Sequence, residues 1–100
     1  MNHISLSRLQ SLLRIAERAV ELHKLGDASR HAYSLFDDAC NAYKRKHNLG
    51  RLERDSAQWD AMMDAVSGEY AVLAGFKKAE YNGKRRLATA VRAYLNGGVK

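Results

Sequence analysis

Not one proline interrupts this chain of 100 residues. Proline is the strongest breaker of a helix interior, costing ~3 kcal/mol there. Without it, glycine is left as the punctuation, at Gly26, Gly50, Gly83 and the Gly97-Gly98 pair. The segments between are rich in Ala, Leu, Arg, Lys and Glu. They hold no run of β-branched and aromatic residues of the kind that makes strands. The chain is therefore expected to be all-α. With 46% hydrophobic residues it can bury a core rather than stay disordered, and its length is that of a single domain.

Glycine commonly sits just past a helix end. Read that way, the punctuation gives helices at about residues 6–25, 28–48, 56–81 and 84–95. Ser5 or Ser7 is expected to cap the first, Asp27 the second and Asp55 the third. In helix 1, Leu6, Leu9, Leu13, Ala16 and Val20 alternate three and four apart and form the expected core stripe. Ile15 and Leu22 fall roughly opposite, so helix 1 is either covered on two sides or offers a contact surface. Helix 2 presents Ala32, Leu35, Phe36, Ala39, Ala42 and Tyr43. Helix 3 presents Trp59, Met62, Met63, Val66, Tyr70 and Leu73, and helix 4 presents Leu87, Ala90, Val91 and Tyr94.

The far side of helix 3 is almost entirely small: Ala57, Ala61, Ala65, Gly68, Val72, Gly75 and Ala79. Interior glycine costs about 1 kcal/mol against alanine, so two on one face suggest close approach of another backbone, with a kink or a break as the alternative. The short loops favour antiparallel neighbours. The expectation is a compact three- to four-helix bundle with helix 3 at its centre and short glycine-capped loops. The joint at Tyr81-Asn82-Gly83 is either a turn or part of a longer helix.

No motif for chemistry emerges. His3, His23, His31, His47 and Cys40 are scattered, without the spacings of a metal site. Asp60 and Asp64 share a helix face but make only two ligands. No G-x-S-x-G, glycine-rich phosphate loop or strand to feed one is present. The reading is a non-enzyme with no cofactor and no metal. The single cysteine excludes an internal disulfide and suits a reducing compartment. No apolar run approaches the ~20 residues that span a bilayer. A cytoplasmic protein without a membrane partner is expected.

Formal net charge is +6 and the pI about 9.7, which favours anionic partners. The cations cluster twice. Residues 77–86, KKAEYNGKRR, hold Lys77, Lys78, Lys84, Arg85 and Arg86 around Tyr81, with Arg92 seven residues beyond Arg85 on helix 4. A secondary cluster comprises Lys44, Arg45, Lys46, Arg51 and Arg54, and the first three of these suit the negative end of helix 2. If helix 4 began at Gly83, Lys84, Arg85 and Arg86 would oppose its dipole and ask for an anion, from a partner or from another helix. Tyr81 is placed to stack on a base.

The first functional reading is thus a basic helical module that docks on nucleic acid or a nucleoprotein complex through these residues. The second is a protein-protein interaction module or inhibitor working through Ile15, Leu22, Gly68 and Gly75. Small helical proteins of phages and other mobile elements, anti-CRISPR inhibitors among them, often act in this way, and a homodimer is compatible with it. A third reading starts from Arg18-Ala-Val-Glu-Leu-His23, which has Arg-x4-His spacing and resembles the motif of HEPN ribonucleases. The resemblance covers six residues. It implies that His23 acts on a ribose 2′-hydroxyl while Arg18 holds phosphate. Ala19 stands where the family has a polar residue, and the motif lies in helix 1 rather than late in the bundle.

Overall fold

The structure is a computed structural model and describes residues 5–97. These residues form three α-helices and no strand: α1 (Leu6–Lys46), α2 (Ala57–Ala65) and α3 (Ser67–Leu95). The all-α expectation holds, while the division into helices differs from the one the glycines suggested.

The first difference is at Gly26. Helix α1 passes through it without interruption for 41 residues. The backbone of Gly26 does not take the left-handed conformation of a helix stop. Asp27, expected as a cap, instead faces His23 one turn back, at 3.4 Å. The reason is packing. Buried and half-buried positions run through the site at helical spacing: Leu22, Leu25, Gly26, Ser29, Ala32, Phe36 and Cys40. A turn at residue 26 would throw that stripe out of register, whereas keeping glycine in the helix costs only about 1 kcal/mol.

The second difference is at Gly83, which also lies inside a helix. The expected turn at residues 81–83 does not form. A Cβ at Gly83 would meet Leu25 Cδ1 at 3.1 Å and Leu22 Cδ1 at 3.5 Å, so this glycine lets α3 approach α1 closely. Gly68 and Gly75, the two expected to do so, have no such neighbour within 4 Å. The small face of α3 that they mark is not a packed one, and helix 3 is not the covered centre of a bundle. The interruption that does occur falls at Val66, two residues before Gly68. It is slight, because the Val66 N–H still bonds Met62 O and the Tyr70 N–H still bonds Val66 O, both at 3.0 Å.

The caps also shift. Ser5 caps α1, its hydroxyl accepting from the Arg8 N–H at 3.2 Å. At the other end Asn48, at φ 54°, is the left-handed residue. The Leu49 N–H bonds Lys44 O and the Asn48 N–H bonds Arg45 O, which is a Schellman closure, so Gly50 is not needed as the stop. Ser56, not Asp55, caps α2, accepting from the Trp59 N–H at 3.1 Å. Gly97, at φ 90°, follows α3 as expected. Gly98 and His3 lie outside the described residues.

Because α1 does not fold back at residue 26, the expected compact bundle is replaced by two packed units, each drawing on α1 and α3. The first joins the part of α1 through Asp27 with the part of α3 from Lys78 on. There Leu12, Ile15, Leu22 and Leu25 are half-buried, as are Leu87, Val91 and Tyr94, while Ala90 is buried. The second, residues 28–77, has Cys40, Met62 and Val66 at its core. Phe36, Ala39, Tyr43, Leu52, Trp59 and Met63 pack around them. Among the described residues no helix is long and apolar enough to cross a membrane.

Candidate anion-binding groove

Within the first unit the two helix segments run antiparallel. Arg8 lies over the Tyr94 ring at 4.3 Å, Glu21 bonds Arg86, and Leu22 and Leu25 meet Gly83. As numbers rise along α1 they fall along α3. This pairing opens a groove whose α1 wall is Ser11, Arg14 and Arg18, one turn apart. Its α3 wall is Asn82, Arg85, Arg86 and Thr89, with the small side chains of Ala90 and Ala93 leaving room between.

The groove is strongly positive. It gathers four guanidinium groups, and the carboxylate bound among them is that of Glu21. One Glu21 oxygen accepts from Arg86 Nε at 3.2 Å and lies 3.1 Å from Arg86 Nη2 and 3.8 Å from Arg18 Nη1. Four positive charges less one negative leave three. Arg14 has no hydrogen-bond or ion-pair partner among the described residues. Arg85 is held only loosely, with its Cζ 6.0 Å from the centroid of the Tyr81 ring.

The KKAEYNGKRR segment therefore divides. Arg85 and Arg86 line the groove, and Tyr81 borders it through Arg85. Arg92 donates to Thr89 Oγ1 on the groove wall at 3.2 Å. Lys78 and Lys84 are exposed and do not line it, and Lys77 belongs to the other unit. With α3 unbroken at Gly83, Lys84, Arg85 and Arg86 do not sit in a helix first turn, so the dipole argument for an external anion falls away. Arg86 finds the acid from another helix in Glu21. What calls for an anion is the convergence of Arg85 with Arg14 and Arg18, which sequence reading missed. The available signal was Ser11, Arg14 and Arg18 at helical spacing, a polar stripe between the two apolar sides of helix 1.

The remaining candidates do not converge. Lys44, Arg45 and Lys46 occupy the last turn of α1, and Arg51 and Arg54 are exposed in the segment before α2. Ile15 and Leu22 are half-buried, Leu22 against Gly83, so they do not form a free contact surface. The stripe expected in the core is instead on the outside: Leu6, Leu9, Leu13 and Val20 are 71%, 46%, 57% and 55% exposed. Arg18 and His23, five apart on one helix, leave it about 140° from each other at 3.6 residues per turn. His23 turns to Asp27 while Arg18 turns to Glu21. Cys40 lies in the second core, where burial pushes its thiol up, and the His47 ring stacks on Tyr43 at 4.2 Å. Among the described residues no three potential metal ligands gather. Compared with protein-family models, curated proteins and solved structures, the chain matches none.

Proposed function

We propose that this chain is a non-enzymatic, cytoplasmic binding module whose arginine groove docks on the phosphates of a nucleic acid, free or within a nucleoprotein complex. The observation that carries the reading is the convergence of Arg14, Arg18, Arg85 and Arg86 from two helices on one groove, with Glu21 as the counter-charge. Guanidinium forks match phosphate oxygens in pairs. Ser11, Asn82 and Thr89 add neutral donors on the same walls.

Each phosphate neutralised releases a counterion, so affinity falls as salt rises. With three uncompensated charges, the slope of log K against log salt is about −2 to −3. Fluorescence polarisation of labelled oligonucleotides against a salt series measures it. The variant R14S/R85S should bind at least tenfold more weakly with a flatter slope. Absence of binding at low salt, or a variant that binds as the parent does, would sink the reading.

A second reading has one observation of its own. The outer face of α1 exposes Leu6, Leu9, Leu13 and Val20 at the three-four spacing that suits a partner helix. An interaction module or inhibitor of the phage-encoded kind would use this face, against another protein or a second copy, in place of Ile15 and Leu22. Sedimentation velocity of the parent and of L9E/L13E tests self-association. An unchanged monomer in both removes the second copy as occupant.

A further inference from the structure

We infer that the groove takes a single strand rather than a duplex, with Tyr81 as the platform for an unpaired base. This rests on the groove being a nucleic-acid site and names which form of nucleic acid it accepts.

Tyr81 is 62% exposed. It lies one helical turn before Arg85, whose guanidinium sits 6.0 Å from the ring centroid, and next to Asn82 on the groove wall. No other aromatic ring packs on it among the described residues. A large ring left open beside a phosphate-binding arginine has the geometry of a stacking platform. Track-following cations and a base-stacking aromatic together are what single-strand binders use. A duplex keeps its base faces inside and offers such a ring nothing to stack on.

The arrangement of charge agrees. The arginines do not spread over a broad surface that could follow both strands of a duplex. They face one another across a single cleft, and at one end of it Gly83 draws α3 to within side-chain contact of Leu22 and Leu25. From Asn82 to Ala93 the α3 wall is roughly 16 Å long at 1.5 Å per residue, a track for one backbone and a few phosphates.

The test compares three labelled probes with the full chain: a mixed-sequence single strand of about ten nucleotides, the same sequence as a blunt duplex, and an abasic strand of equal length. Single strand is expected to bind about tenfold or more tighter than either of the others. Y81A should weaken single-strand binding by about tenfold, by the same factor at every salt concentration, and leave duplex binding unchanged. Y81F should restore it. Tyr81 is exposed, so these variants keep the fold, which circular dichroism verifies. Equal or tighter duplex binding, or a Y81A variant that binds single strand normally, overturns the inference. In that case loss of binding to all probes in R14S/R85S would leave the groove itself standing. Failure of every probe to bind would remove both.

Discussion

The close approach at Gly83 organises the unit that carries the groove, and it can be tested against an internal control. Gly75 and Gly83 lie eight residues apart inside α3. A Cβ at Gly75 meets nothing within 4 Å, while one at Gly83 stands 3.1 Å from Leu25 Cδ1 and 3.5 Å from Leu22 Cδ1. Gly75→Ala therefore collects only the helix-propensity gain, about 0.8–1 kcal/mol. Gly83→Ala collects the same gain but must push the end of Leu25 aside by a few tenths of an ångström, with Leu22 already at ordinary contact distance. Overpacking by a methyl group costs about 1 kcal/mol or more, so the net change is near zero or slightly unfavourable. The two variants should differ by about 1–2 kcal/mol. Gly83→Leu has no room in the gap and should lose at least about 2 kcal/mol. Urea denaturation followed by circular dichroism reads these differences. If Gly83→Leu is tolerated as well as Gly75→Leu, the helices do not meet at this point, and the groove that depends on their pairing has no basis.

Further outcomes follow from other contacts. Glu21→Gln removes the groove's counter-charge and should tighten anion binding several-fold at low salt with a steeper salt slope. Its stability cost should be small because the ion pairs are about 40% exposed. Met62, 1% exposed in the second core, should cost about 2–5 kcal/mol on substitution by alanine, measured by urea denaturation. Burial raises the Cys40 thiol above its ordinary value of 9.0. The folded state thus holds this proton longer than the unfolded state does, so the contribution is fully present below pH 9.0 and lost as pH rises through the raised folded value. A thiol reagent should accordingly react slowly with the native chain and quickly in denaturant.

Locally determined features were legible in the residues. The absence of proline and the abundance of helix formers act within a few residues of themselves, and all three helices obey them. Of the stripe Trp59, Met62, Met63, Val66, Tyr70 and Leu73, all but Tyr70 are buried or half-buried as the spacing demands, while Tyr70 is 50% exposed. Arg85 and Arg86 stood out because they lie in a dense run of cations. Arg14 and Arg18 did not, because Glu17 and Glu21 balance the charge around them, and only pairing with α3 carries them into the same groove.

Helix 1 shows where local information ends. It is apolar on two sides, and nothing in its own residues says which side is covered. The face of α3 decided that, burying the side with Ile15 and Leu22 and leaving Leu6, Leu9, Leu13 and Val20 exposed. The glycines show it again. A glycine biases a helix by about 1 kcal/mol, a preference that a continuous packed stripe outweighs. Gly26 and Gly83 were absorbed into helices for that reason, and Gly83 became the point of contact. Composition and spacing thus decide that this chain is helical and basic. Its groove exists because two distant segments bury apolar surface against each other, an energy that belongs to neither segment alone.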